Sequence, residues 1–176
     1  MNKFKWLAGS TMLGAILAFG TINMVVSADQ AINKKSPKPN VTYQEECSEC
    51  HMAYPANFLP EKSWNKILAT LDDHFGENAE LDNETNQALK SYLAQHAMKK
   101  NLFNRLLRNF PSDTPTPLRI TELPYFIRKH DEIPQKWVKN NPKVGSFSQC
   151  DKCHQGAASG DFEEDNVRIP GVGRWD

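Results

Sequence analysis

The pentapeptides Cys-Ser-Glu-Cys-His at residues 47–51 and Cys-Asp-Lys-Cys-His at residues 150–154 decide how this chain folds. Together they use all four cysteines of the 176-residue sequence and two of its five histidines. Cys-X-X-Cys-His is the attachment site of c-type haem. In that chemistry two thiols add across the two vinyl groups of haem, which gives two thioether bonds, and the adjacent histidine supplies the proximal ligand to iron. We therefore expect two covalently bound haem c groups, held by Cys47, Cys50 and His51 and by Cys150, Cys153 and His154.

Other interpretations of the four cysteines explain less of the pattern. Four cysteines in an exported protein ordinarily suggest two disulfides, but that leaves the two adjacent histidines without a role. A Cys-X-X-Cys redox pair needs no following histidine. A zinc site with four cysteines is compatible with each pair, but the pairs lie about 100 residues apart, beyond the usual separation.

The first 28 residues have the pattern of an export signal. Lys3 and Lys5 precede an apolar run from Trp6 to Phe19, and residues 26–28 read Val-Ser-Ala, a typical cleavage site. We predict that residues 1–28 are a cleaved signal peptide and that the mature protein is periplasmic, with no stable membrane insertion. An uncleaved membrane anchor is the alternative, since residues 6–28 are long enough to span a bilayer.

Composition and charge exclude several classes of protein. Apolar residues make up 39% of the chain and charged residues 24%, which is typical of neither a disordered chain nor a polytopic membrane protein. The 21 Lys and Arg balance 21 Asp and Glu, and removal of residues 1–28 takes away only Lys3 and Lys5, so the mature chain carries a net charge of −2. A broad basic surface for nucleic acid is therefore not expected.

Two haems have two distal positions, and few residues can fill them. Met52 directly follows His51 and cannot reach the opposite face of the same haem. At least one haem therefore has two histidine ligands or an open distal site. The remaining side chains that can ligate iron in the mature chain are His74, His96, His130 and Met98.

Helical periodicity makes His74 the favoured distal ligand. The spacing predicts an amphipathic helix over residues 61–75, with Trp64, Ile67, Leu68 and Leu71 on one stripe that His74 continues. Gly76 follows as a natural stop.

Two further histidines remain as candidates. A second helix is predicted over residues 83–98, capped by Asp82 or Asn83, and it places His96 in its last turn as a reserve ligand. His130 ends a short apolar segment that begins at Tyr125, but it sits between Lys129 and Asp131, a pattern that leaves its direction open. The tail from residue 162 to residue 176 is expected to contain little regular structure.

Several segments of the sequence resemble a known family. The chain resembles, over essentially its whole mature length, the bacterial dihaem cytochromes c that partner a small oxygen-binding haem protein. The matching segments are Cys47–Pro55, Leu59–Trp64, His74–Glu77, Tyr92–Leu93, Arg119–Thr121, Phe126–His130, Cys150–His154 and Val167–Pro170.

The resemblance implies a mainly α, loop-rich fold with two haem domains. Residues 29–104 are then similar to a class I cytochrome c, and residues 105–176 form a smaller, irregular haem-binding domain. The resemblance places the distal ligands on His74 and His130 and gives no ligand role to His96. The implied partners are a monohaem oxygen-binding cytochrome and a membrane cytochrome b.

Ligation by two histidines predicts a function. Two imidazoles hold low-spin iron in both oxidation states and favour the ferric state more than a thioether does, so low potentials are expected. A six-coordinate iron has no open site, which predicts an electron carrier and not an enzyme. A dihaem peroxidase or reductase and a gas-binding haem sensor are the alternatives, and both need an open distal position.

Overall fold

The computed structural model describes residues 40–100 and 115–175. The predicted signal peptide at residues 1–28 and the predicted domain boundary between residues 104 and 105 lie outside these ranges. Within them the chain consists mainly of short helices and loops, which confirms the expected mainly α class. The two-domain layout stays a prediction. No helix in these two ranges has the length and apolar character needed to cross a membrane.

Five α-helices and one small hairpin form the regular structure of the described ranges. The helices are α1 Val41–Cys47, α2 Glu61–Leu68, α3 Asn83–His96, α4 Pro124–His130 and α5 Cys150–Cys153. Single 3₁₀ turns span Ala56–Phe58, Leu71–Asp73, Ile120–Glu122, Gln135–Trp137, Ala157–Ser159 and Glu164–Asn166. Strands β1 Arg168–Ile169 and β2 Gly173–Arg174 pair antiparallel, with Ile169 opposite Gly173.

The core of the N-terminal range forms where α1, α2 and α3 meet. Tyr43 of α1 is 3% exposed and lies edge-on to Trp64 of α2, with ring centroids 6.4 Å apart. The indole nitrogen of Trp64 donates to the carbonyl of Ala56 at 2.7 Å, so this buried polar group is satisfied. Leu89 and Leu93 bury the inner face of α3, each with 1% exposure. This packing fixes the end of α1, which is the first cysteine of the first motif.

The same core receives side chains from the C-terminal range. Leu123, just before α4, is 4% exposed and belongs to the cluster that contains Tyr43 and Trp64. Leu118, Ile120 and Phe126 pack against that cluster from the same side. The two halves of the described chain therefore share one apolar core, which holds the two attachment motifs near each other.

The helix predicted over residues 61–75 is wrong in its second half. Helix α2 ends at Leu68, a 3₁₀ turn covers Leu71–Asp73, and His74 lies beyond both. Two interactions favour this end. Asn86 of α3 donates its side-chain amide to the carbonyl of Leu68 at 3.1 Å, which satisfies a free helix carbonyl. The carboxylates of Asp72 and Asp73 would also face the negative end of a continued helix.

The other predicted elements lie close to the observed ones. Helix α3 begins after Asp82, whose carboxylate accepts from the backbone amides of Glu84 and Thr85 at 2.9 Å, and it ends at His96, two residues before the predicted end. The short segment before His130 is helix α4, with Pro124 at its first position. The tail is less irregular than predicted because it forms the β1–β2 hairpin.

Candidate metal centres

Two pairs of histidine rings face each other, one beside each attachment motif. The first histidine pair is His51 and His74, with ring centroids 6.4 Å apart and ring planes at 33°. The second histidine pair is His130 and His154, with centroids 6.1 Å apart and planes at 66°. Each pair joins the histidine of a Cys-X-X-Cys-His motif to one of the histidines that the sequence named as a distal ligand.

The spacing within both pairs matches a metal ion bound between two imidazoles. Metal–imidazole bonds of about 2.0–2.1 Å place the two ligating nitrogens about 4 Å apart. Because a ring nitrogen lies about 1.2 Å from its ring centroid, the two centroids are then roughly 6–6.5 Å apart. The observed 6.4 Å and 6.1 Å fall in this range. The residues present therefore fit a haem iron at both positions.

A tight turn presents His74 to His51. The backbones of His74 and Glu77 form an antiparallel bridge, in which the amide of His74 donates to the carbonyl of Glu77 at 2.7 Å. Phe75 and Gly76 form the tip with φ of 59° and 105°, both in the left-handed region. A left-handed phenylalanine costs about 1–2 kcal/mol, and such strain is common at functional sites. The turn replaces the predicted helix as the element that positions this ligand.

A cavity of about 270 Å³ surrounds the second pair. His130 ends α4 and His154 directly follows α5, so both histidines reach the cavity from helix ends. Its walls are mainly apolar and come from both halves of the chain, as expected for a site that encloses a large apolar ligand. Its aromatic walls are Phe58, Tyr125, Phe126, Phe147, Phe162 and Trp175.

Burial favours the neutral form of His74, His130 and His154, which is the form that binds metal. Burial, and then the nearby His130, lowers the pKa of His154 to about 4. Burial also lowers the pKa of His130, and burial followed by the neighbouring His51 and Arg119 lowers that of His74.

Backbone carbonyls orient two of these imidazoles. The Nδ1 of His51 lies 2.8 Å from the carbonyl oxygen of Met52, and the Nδ1 of His130 lies 2.9 Å from that of Phe126. A histidine ligand commonly donates its second ring nitrogen in this way, which frees Nε2 for the metal. Among the described residues, the buried Nδ1 of His154 has no hydrogen-bond partner.

No disulfide joins the four cysteines, and burial raises the pKa of three of their thiols. Burial, and then Glu46, raises the pKa of Cys47 to about 11, and burial followed by Asp151 raises that of Cys150 to about 12. Burial also raises the pKa of Cys153. Redox-active Cys-X-X-Cys pairs have lowered thiol pKa values. The three raised pKa values therefore do not match a redox pair.

The segments around the two attachment motifs contact each other. The hydroxyl of Tyr54 donates to the carbonyl of Ser148 at 2.8 Å, and the side-chain amide of Gln149 donates to the carbonyl of Cys50 at 3.2 Å. The Tyr54 ring is stacked on the His51 ring, with centroids 4.4 Å apart and planes at 11°. Sequence reasoning did not single out Tyr54, because only the fold brings residues 94 positions apart into contact.

The other candidate ligands lie away from the two pairs or in a cavity wall. The Nδ1 of His96 lies 2.8 Å from the carbonyl oxygen of Tyr92, and the His96 ring packs on the Tyr92 ring. Within the described ranges, the His96 ring faces none of the other histidines. Met52 offers its carbonyl to His51. Met98 is 6% exposed and lines the cavity of the second pair. The apolar periodicity around His96 therefore reflects how helix α3 packs against its neighbours.

Comparisons with known proteins agree with the motifs. A family described as dihaem cytochrome c matches residues 43–162. The X-ray structure of a dihaem cytochrome type c from Shewanella baltica OS155 is 50% identical, with a TM-score of 0.66, and the match covers 80% of this chain and 99% of that one. Two structures of dihaem cytochrome c from Rhodobacter sphaeroides are 44% and 40% identical, with TM-scores of 0.62 and 0.57, and each covers 70% of this chain and 96% of its own. No curated protein matched the sequence. The resemblance to the dihaem cytochromes c is confirmed.

Proposed function

The chain belongs to the dihaem cytochrome c family and carries two covalently bound haem c groups, and on that premise we propose that it is an electron carrier in which each haem has two histidine ligands. His51 and His74 hold the haem attached at Cys47 and Cys50, called the first haem below. His130 and His154 hold the second haem, attached at Cys150 and Cys153. The proposal makes the protein a carrier and not a catalyst.

The spacing of the two histidine pairs carries this proposal. Centroid distances of 6.4 Å and 6.1 Å accommodate one iron between each pair, and a carrier requires that no axial position is left for a substrate. A peroxidase, a reductase or a gas sensor needs one histidine of a pair to be absent or displaced. Both pairs are complete among the described residues.

The residues of this chain contribute ligation, orientation and exclusion of water. Bound haem c supplies a one-electron couple between ferric and ferrous iron. Four imidazoles would donate to the two irons, and because imidazole favours the ferric state more than a methionine thioether does, we propose low potentials at both haems. The carbonyls of Met52 and Phe126 orient two of the rings. The aromatic walls around the second pair would pack against the bound haem and limit its contact with water.

Reductive titration with electron paramagnetic resonance tests the proposal. The oxidised protein should show two low-spin ferric signals, each equal to one spin per chain, and no high-spin signal at neutral pH. Titration should take up two electrons per chain at potentials below those of histidine–methionine cytochromes. A stoichiometric high-spin signal, or fast turnover of peroxide or nitrite by the isolated protein, would move it to the enzyme class.

We further propose a periplasmic location and a soluble redox partner. The location rests on the export pattern at residues 1–28, and N-terminal sequencing of the purified protein should begin at Asp29. Each ferric haem with ionised propionates adds a charge of about −1, so the mature holoprotein carries about −4 oxidised and about −6 reduced. An acidic carrier suits a partner with a positive docking face.

The partner proposal predicts a dependence on salt. We propose a monohaem oxygen-binding cytochrome as one partner and a membrane cytochrome b as another. Stopped-flow transfer to the first of these should slow as ionic strength rises, because screening weakens the attraction between the two surfaces. A rate that is independent of salt would contradict electrostatic docking and leave the two-haem assignment untouched.

A further inference from the structure

Tyr54 contacts the first haem attachment motif and also the segment that leads into the second. Its ring lies parallel to the imidazole of His51, with centroids 4.4 Å apart and planes at 11°, and its hydroxyl donates to the carbonyl of Ser148 at 2.8 Å. Ser148 precedes Cys150 by two residues, and its carbonyl also lies 3.8 Å from the thiol of Cys150. One side chain thus joins a ligand of the first haem to the backbone that leads into the second motif.

A second hydrogen bond runs in the opposite direction across the same contact. Gln149 donates its side-chain amide to the carbonyl of Cys50 at 3.2 Å, and Gln149 also lines the cavity of the second histidine pair. The Gln149 bond is exposed, whereas Tyr54 is half-buried. The two bonds together fix the register between the motifs, and the tyrosine forms the inner and better protected of the two.

The Tyr54 hydroxyl is the donor in its contact with Ser148. Burial, and then the nearby Cys150, raises its pKa well above the usual value for tyrosine. The backbone of Tyr54 is held as well, because its carbonyl accepts from the buried hydroxyl of Tyr43 at 2.7 Å. The side chain is therefore fixed at its base, along its ring and at its tip.

We propose that Tyr54 is a positioning residue for electron transfer between the two haems. Its ring sets the plane of the His51 imidazole, and its hydroxyl fixes that ring relative to the second attachment motif. The proposal rests on the proposed function as an electron carrier. In the step concerned, one electron passes from ferrous iron at one haem to ferric iron at the other. No bond forms or breaks, and the Tyr54 hydroxyl keeps its proton.

Two substitutions in the holoprotein separate the contributions of the hydroxyl and the ring. Tyr54→Phe keeps the ring on His51 and removes the bond to Ser148, whereas Tyr54→Leu removes both. Tyr92→Phe is the matched control, because Tyr92 also packs on a histidine, His96, at 4.5 Å, and its hydroxyl contacts the backbone of Asn40 in its own half of the chain.

The main measurement is the rate of electron exchange between the haems in half-reduced protein, obtained from exchange spectroscopy of the haem methyl resonances. We expect Tyr54→Phe to slow this exchange severalfold while the paramagnetic resonance signal of the first haem keeps its wild-type shape. Tyr54→Leu should slow the exchange and also change that signal, because the His51 ring is then free to turn. Tyr92→Phe should change neither.

Separate outcomes contradict the two proposals. Wild-type protein without two low-spin haems contradicts the proposed function. A wild type with two low-spin haems, together with unchanged exchange in Tyr54→Phe or equal slowing in Tyr92→Phe, contradicts the role of Tyr54 alone. If Tyr54→Phe does not fold, 3-fluorotyrosine at position 54 supplies the test. Its fluorine resonance should shift in two steps as the two haems are reduced, and a shift with only one haem overturns the proposal.

Discussion

The guanidinium of Arg119 lies over the ring of Phe75, 3.9 Å from its centroid. Phe75 is the left-handed residue that directly follows His74, and Arg119 comes from the other half of the chain. A cation over an aromatic ring contributes about 0.5–1 kcal/mol at an exposed site. Arg119 therefore stabilises the strained turn that presents His74, and it places a positive charge near the first histidine pair.

Removal of this charge should lower the potential of the first haem. A nearby positive charge favours ferrous over ferric iron, so we expect Arg119→Gln to lower the potential by on the order of 20 mV, since exposed charge pairs are worth about 0.2–1 kcal/mol. The shift in potential should shrink at high salt, because the arginine side chain is 48% exposed and ions screen its charge. Glu122, 3.6 Å from Arg119, already offsets part of that charge. A redox titration followed by haem-resolved magnetic resonance measures it.

The matched control is another arginine above an aromatic ring. Arg128 lies 5.3 Å from the ring centroid of Tyr125, next to the second pair. Arg128→Gln should leave the potential of the first haem unchanged. If both variants shift the potential of the first haem equally, the overall charge of the protein, and not the position of Arg119, sets that potential.

The distal assignments predict a clear pattern among histidine variants. His74→Ala and His130→Ala should each convert one of the two haems to a high-spin form that binds carbon monoxide, because each removes one imidazole of a facing pair. His96→Ala should leave both haems low-spin, since His96 packs on Tyr92. Optical spectra of the three purified holoproteins check this. High-spin haem in His96→Ala alone would require a different set of ligands.

The ring angles predict that the two ferric haems differ in their magnetic resonance spectra. The planes of the first pair are 33° apart and those of the second pair are 66° apart. Imidazole planes close to perpendicular give a more anisotropic low-spin signal than planes close to parallel. The more anisotropic signal should therefore be lost in His130→Ala and kept in His74→Ala, and the reverse result would contradict the observed ring geometry.

The cap of helix α3 predicts a dependence of stability on acid. Hydrogen bonds from Thr85 and Glu84 lower the pKa of Asp82 below its usual value. The Asp82 carboxylate therefore stabilises the fold at pH values above the pKa that Asp82 has in the unfolded chain. This stabilisation is lost as the pH falls through the lower pKa that Asp82 has in the folded chain. We expect Asp82→Ala to lower the melting temperature at pH 7 by a few degrees. The difference from wild type should narrow in acid, which calorimetry at a series of pH values will measure.

The sequence predicted the parts of the site that depend on local spacing. Each Cys-X-X-Cys-His motif lies within five residues, and the cap and apolar face of helix α3 follow from residues within a few turns of one another. His130 was undecided because its charged neighbours, Lys129 and Asp131, predict an exposed segment. Only the packing of α4 against the rest of the chain turns that histidine toward His154.

The remaining features depend on contacts between distant residues. The end of α2 is set in part by Asn86, which bonds to Leu68 from another helix, and the left-handed turn at Phe75 is covered by Arg119. The contact of Tyr54 with Ser148 joins the two halves of the described chain. Periodicity carries no information about such contacts. A prediction based on it therefore continues helix α2 through His74 and does not identify Tyr54.

Binding of carbon monoxide to the fully reduced holoprotein tests the central claim, that each of the two haems is held between two histidines. The optical spectrum should show two haems per chain and no change when carbon monoxide is added, because every axial position is filled. Binding of one carbon monoxide per chain to the wild-type protein would contradict the account and indicate an open haem site.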